Sequence, residues 1–273
     1  MTKGMQSFLL LLVAGAIVVL LTLWRAGLIR GPSQVPAALA PELPVVTAPA
    51  ASPESPIRFP LDEKAHSTRP LRAGEIRPAL SDLLGREAVA TFLQIDEFPR
   101  RLVVTVDNLG RAHAPHLLWP VNAAPDRFTV DELDGPVIAA DNASRYTPFV
   151  LMAESVDSAR AVDLYVRIYP LLQTAYEELG FPNRYFNDRL IEVIDLLLAT
   201  PQVEYPVRLQ LTEVKGLFPS LRPWTRYEFA DPALESLSAG QKVLLRVGPV
   251  NQRRLQDKLA ELRAALVKRA PAR

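Results

Sequence analysis

Asp188, Glu192 and Asp195 stand at i, i+4 and i+7, so on a helix they share one face, with Tyr185 and Asn187 just before them and Arg189 alongside. Carboxylates one helical turn apart have Cβ atoms about 5–6 Å from each other. From there two carboxyl groups can approach the spacing of paired glycosidase acids, which would suit hydrolysis of an envelope glycan. A structural reading of the same residues is preferred. Asp188 in a first turn complements the helix dipole. Glu192 can pair with Arg189, and Asp195 can bond a tyrosine or arginine in the core. Tyr185, Asn187, Asp188, Arg189, Glu192 and Asp195 therefore form a candidate binding surface, and no catalytic residue is assigned.

Other chemistry-bearing residues point the same way. His113 and His116 flank Pro115, and only Asp107 and Asp126 stand near them in sequence. A metal would need a third and fourth ligand, so a loop pair without metal is expected. Tyr165, Tyr169 and Tyr176 could line a small-ligand groove, but tyrosines spaced among valines and leucines read as core whose hydroxyls find a partner at its edge. Asn142-Ala143-Ser144 matches a glycosylation sequon and is expected to begin a helix instead. There is no nucleophile elbow, P-loop or dinucleotide fingerprint, and no cysteine, so no cofactor is expected.

The elements that must position these residues are mostly helical. Apolar spacing predicts helices over Ile76–Leu84 with Gly85 as a stop, over Glu87–Ile95, and over Phe98–Leu109. The stretch Gly110–Pro136 reads as loop with a short strand at Arg127–Val130. Asp157 is a predicted N-cap for a helix running to Gly180, kinked at Pro170. Asn187 starts a central helix that Pro201 closes, since Leu190, Ile191, Ile194, Leu197 and Leu198 leave it little polar face. Val207–Leu211 and Arg226–Phe229 are predicted to pair as strands. Asp231-Pro232 opens a short helix, Ser238-Ala239-Gly240-Gln241 fits a capping box, and a last helix covers Asn251–Lys268 with Leu255, Leu259, Leu262 and Leu266 on one stripe. The fold class expected is mainly α, an α+β domain with a minor β element.

Ahead of this domain, Phe8–Trp24 is an uninterrupted apolar run of about 17 residues, at the short end of what spans a bilayer. A snorkelling Arg25 and the apolar Ala26–Ile29 would lengthen the span to roughly 22 residues. A cleaved signal peptide is the rival reading, but the core is long for one and Trp24-Arg25 leads poorly into a small-x-small cleavage site. Residues 1–30 are thus expected to be an amino-terminal transmembrane anchor. Residues 31–60 follow as a Pro/Ala-rich tether, with prolines from Pro32 to Pro60 favouring extended polyproline II. At ~3.1 Å per residue it reaches up to roughly 90 Å. Positive-inside counting is near a tie that leans slightly toward a cytoplasmic carboxy-terminal side; against it, the stiff spacer favours placing the domain, residues 61–273, in a bacterial periplasm.

Four segments carry a resemblance. Val106–Leu109 (VDNL), Tyr169–Gly180 (YPLLQTAYEELG), Tyr185–Pro201 (YFNDRLIEVIDLLLATP) and Tyr227–Pro249 (YEFADPALESLSAGQKVLLRVGP) resemble a bacterial family known only as domain of unknown function 3014. The similarity runs from about Leu71 to the carboxy terminus. It implies one amino-terminal membrane helix and a low-complexity spacer, and it implies no activity, cofactor or catalytic residue. The chain is 49% hydrophobic with net charge +1, so composition indicates neither overall disorder nor strong nucleic-acid binding. The last helix is basic, yet its leucines read as an ordinary packing stripe and not as a lipid- or partner-binding face. The expected function is a non-catalytic interaction or scaffold module of the cell envelope, anchored in the cytoplasmic membrane by Phe8–Trp24 and bound to another envelope protein. The alternatives are a glycan hydrolase using helix-borne carboxylates and a small-ligand-binding domain.

Overall fold

The computed structural model describes residues 56–61, 69–212 and 226–269, all within the unit that spans residues 53–273. The apolar run Phe8–Trp24 and the tether up to residue 55 lie outside the described residues. Among the described residues, no helix is long and apolar enough to cross a membrane.

Helix α1 (Ile76–Leu84) buries Ile76 and Leu80 and stops at Gly85. Helix α2 (Arg86–Phe92) ends three residues before its apolar pattern does. Leu93 turns extended and bridges Val121, and the Gln94 N–H donates to the Pro120 carbonyl at 2.9 Å. Pairing with a distant loop thus takes over backbone groups that a longer helix would have used. Helix α3 (Phe98–Leu109) carries Pro99 in its first turn, where the missing N–H costs nothing. The predicted strand at Arg127–Val130 lies further on, as β1 (Val130–Glu132) paired with β2 (Pro136–Ile138), Val130 facing Ile138. The tight turn in which the Leu133 N–H donates to the Gly135 carbonyl sets that register.

Helix α4 (Thr147–Ser155) leads into α5 (Ser158–Glu178), where the Asp157 carboxylate accepts from the Arg160 N–H as an N-cap. The helix runs unbroken through Pro170. Helix α6 (Phe186–Leu198) is central, burying Phe186, Asn187, Ile191, Val193, Ile194 and Leu197. Strands β3 (Leu209–Leu211) and β4 (Tyr227–Phe229) pair antiparallel, Leu209 opposite Phe229. Asp231 caps α7 (Pro232–Glu235) through the Ala233 N–H. Ser238 and Gln241 form the capping box of α8 (Ala239–Arg246), and α9 (Pro249–Lys268) closes the described chain.

The main core joins α1, α2, α3, α5, α6, α8 and α9, with Val103, Tyr169, Leu172 and Phe186 among its most buried side chains. The leucine stripe of α9 packs here: Leu266 is buried, and Leu255, Leu259 and Leu262 lie against the same cluster. A second, smaller core forms under the two β ladders from Ile138, Val207, Leu209, Phe229 and Leu245. The ladders touch where the Ile138 N–H donates to the Val207 carbonyl at 3.0 Å.

Helix α8 reaches this packing only because residue 240 lacks a side chain. A Cβ there would sit 2.6 Å from Leu197 Cδ2 and 3.0 Å from the Leu109 carbonyl oxygen. In a free helix Gly→Ala stabilises by about 1 kcal/mol; here overpacking costs about 1–3 kcal/mol and should win. Gly240→Ala is therefore expected to lower the urea midpoint; a midpoint raised by the substitution would refute the close approach.

Candidate functional site

The first turn of α6 is built by its neighbours. Helix amino termini leave orphan N–H groups, and Tyr185, the N-cap residue, makes no side-chain cap. Two side chains of α5 do that work instead. The Phe186 N–H donates to Gln173 Oε1 at 2.9 Å, and the Asn187 N–H donates to the Tyr169 hydroxyl at 3.4 Å. Tyr169 in turn donates to Gln173 Oε1 at 3.0 Å, and Tyr165 donates to Asn187 Oδ1 at 3.0 Å. The Tyr165 and Tyr169 rings meet edge-on at 5.7 Å, and Tyr169 packs on Tyr185 at 5.3 Å. The tyrosine stripe therefore faces the core and the α6 turn, with Tyr169 and Tyr176 buried.

What this turn holds is the chain itself. Asp188 accepts the Phe59 N–H at Oδ1 (2.8 Å) and the Arg58 N–H at Oδ2 (2.9 Å). Asn187 Nδ2 donates to the Phe59 carbonyl at 2.8 Å, and the Tyr185 hydroxyl accepts the Leu61 N–H at 2.9 Å. Leu61 is buried in the main core. Residues 58–61, which the sequence places at the end of the tether and the first residue of the domain, are thus clamped by three of the six candidate residues.

The other three serve different partners. Asp107 of α3 is 5% exposed and bridges two guanidinium groups. Arg189 donates to it through Nε at 3.0 Å and to its backbone carbonyl through Nη2 at 2.9 Å, while Arg111 binds the second carboxylate oxygen at 2.7 Å. Glu192, largely exposed, takes the remaining Arg189 nitrogen at 3.0 Å. Asp195 binds Arg263 of α9 in a two-point contact whose second bond is 3.1 Å. Asp188 and Glu192 are thus committed to different partners and do not form a carboxylate pair. Sequence reasoning found Asp188, Arg189 and Asp195 but missed Asp107, Gln173 and the receiving segment 58–61. The Asp107 side chain has a local signal, Arg111 at i+4; Gln173 has none.

Remaining candidates fall outside this turn. His113 and His116 are exposed, and among the described residues no group of three or more His, Cys, Asp or Glu side chains could hold a metal. Asn142 is fully buried, accepting from the Thr129 N–H and donating to the Arg246 carbonyl at 3.1 Å. It sits in a 3-10 turn, Ala140–Arg145, that leads into α4. An open groove of about 560 Å³ between the start of α3 and the end of α5 is lined by Glu97, Pro99, Leu171, Ala175 and Leu179, and by none of the candidate residues.

Two measurements probe this geometry. Removing the Asp107 charge leaves the Arg189 guanidinium, its side chain 17% exposed, without its buried carboxylate and with only the exposed Glu192. Asp107→Asn should cost about 3 kcal/mol, against under about 0.5 kcal/mol for Glu192→Gln at the exposed end of the same arginine; equal losses in urea unfolding would contradict the arrangement. Burial first, then neighbouring hydroxyls, pushes the Tyr165 and Tyr169 phenols above their ordinary value of 10.0. Burial and then Tyr146 push Tyr205 up to about 12. Since their folded values exceed the unfolded one, their stabilisation is complete below pH 10 and declines as pH rises beyond it. Unfolding free energy should fall in step with tyrosinate absorbance; a flat profile through that range would count against the buried phenols.

No curated protein and no solved structure matches the chain. A match does exist to the family described as Protein of unknown function (DUF3014), over residues 98–263. It takes in α3 with Asp107, the supporting tyrosines of α5, the whole of α6, and α9 as far as Arg263, so the residues that build this turn lie inside the matched region, and the chain belongs to this family.

Proposed function

We propose that this chain is a single-pass, non-catalytic interaction or scaffold module of the bacterial cell envelope. Phe8–Trp24 anchors it in the cytoplasmic membrane, the Pro/Ala-rich tether carries the domain into the periplasm, and the domain docks another envelope protein. The observation that carries the non-catalytic reading is Asp188, the residue best placed for acid–base work. Both of its oxygens are occupied by backbone N–H groups of residues 58 and 59, which leaves the carboxylate a structural acceptor. The commitments of Asp107, Arg189 and Asp195 to ion pairs support the same view. The apolar run and the proline-rich composition support the anchor and tether.

Fusions of alkaline phosphatase and of green fluorescent protein after Arg273 test the placement. Phosphatase activity with dark fluorescence is the expected result; bright fluorescence without phosphatase activity would move the domain to the cytoplasm and end the envelope reading. Affinity capture of the intact chain tests the module, with a stoichiometric envelope protein expected, and a clean, partnerless monomer would sink it.

A further inference from the structure

The contacts on residues 58–61 have the form of peptide recognition. Three side chains from one turn, Tyr185, Asn187 and Asp188, take two successive N–H groups, one carbonyl and a further N–H from a segment that bends at Arg58 and Phe59. The only residue of the four whose nitrogen is not engaged is Pro60, which has no N–H to offer. The register is therefore matched to a sequence with proline at one position and free N–H groups at the others. Leu61 supplies the apolar anchor, buried in the main core at 7% exposure. Ile57 and Arg58 are exposed, and Phe59 and Pro60 half-buried. The clamp itself is braced from behind by Tyr165, Tyr169 and Gln173.

We propose that the first turn of α6 is a peptide-backbone reading site that exchanges its resident Arg58–Leu61 segment for the same segment of a second copy, joining two chains into a strap-exchanged pair. The occupant's chemistry is set by the contacts just described: an Arg-Phe-Pro-Leu run bent at its first two residues. Only this one leucine is deeply buried, so release exposes little apolar surface. The chain re-enters the fold at Leu71, whose N–H donates to the Arg167 carbonyl at 2.9 Å. Residues 62–68 join the two segments in sequence, and a run of that length has a covalent limit of roughly 25 Å. Identical contacts are made within or between chains, and a two-fold exchange closes on itself without leaving an open end. Tethering in one membrane would raise the local concentration of second copies. In that respect the exchange rests on the anchored-module reading, and it supplies that module with a partner.

Two full-length variants, purified in mild detergent, test it. Leu61→Asp spoils the strap and keeps the clamp; Asp188→Ala spoils the clamp and keeps the strap. Mixed, they restore one intact strap–clamp pair. A heterodimer in sedimentation should form at a concentration at least about tenfold below that at which either variant self-associates, a coupling of about 1.4 kcal/mol. A synthetic peptide of residues 56–61 should dissolve it. Circular dichroism confirms that both chains are folded; if Asp188→Ala is not, Tyr185→Phe, which alters a single acceptor, replaces it. Folded variants that stay monomeric on mixing, or a heterodimer that the peptide leaves intact, would overturn the exchange. Capture of a different envelope protein by a monomer would leave the scaffold reading standing and remove only the exchange. A heterodimer from a chain whose fusion fluoresces in the cytoplasm would do the reverse.

Discussion

Asp107 is the carboxylate on which the junction of α3 and α6 depends. An ionised group this buried is stable only when its lone pairs are filled by charged donors, and Asp107 meets that condition twice, through Arg111 just past the end of its own helix and Arg189 on α6. The planar guanidinium of Arg189 spans three acceptors at once: the carboxylate and the carbonyl of Asp107, and Glu192. A lysine has no such fork. Close approach makes room for it, since a Cβ at Gly110 would lie 2.8 Å from Arg189 Nη2. With α6 fixed in this way against α3, its first turn is presented at a defined angle to the tyrosines of α5.

That turn solves two problems with one set of residues. Its orphan N–H groups are buried and must be paired, and Gln173 and Tyr169 pair them. Its side chains, freed from capping their own helix, point outward to take backbone groups of residues 58–61. Asp188 therefore accepts from a foreign stretch of backbone where a typical first-turn acid would face its own helix. A residue type that suggests catalysis here works as a backbone receptor, because the donors that reach it belong to main chain.

The basic face of α9 is likewise turned to internal use. Arg263 pairs with Asp195 of α6, Arg269 with Asp163 of α5, and Arg254 approaches Glu154 of α4 at 3.8 Å. Lys258 reaches Glu261, with Ser158 and the Val156 carbonyl beside it. Each exposed pair contributes little by itself, but together they tie the final helix to three others around its leucine stripe. A helix that looks suited to anionic lipid has its charges largely answered within the domain.

Local rules determined most elements. The periodicity of Phe98–Leu109, the cap at Asp157 and the Ser238–Gln241 box all depend on neighbours within a few residues, and each stands where its pattern places it. The sequence by itself likewise established that the domain is mainly helical and that tyrosines 169 and 176 are core. Where a distant partner competes, local reading fails: α2 ends early because Leu93 pairs with Val121. The candidate residues of α6 were legible as a helical face, but their work was not. Asp107 lies 82 residues from Arg189, and the segment that Asp188 holds lies about 130 residues before it. Side chains over such separations meet only once the core has brought α3, α5 and α6 together, so the tertiary structure alone decided that this face holds the chain's own backbone.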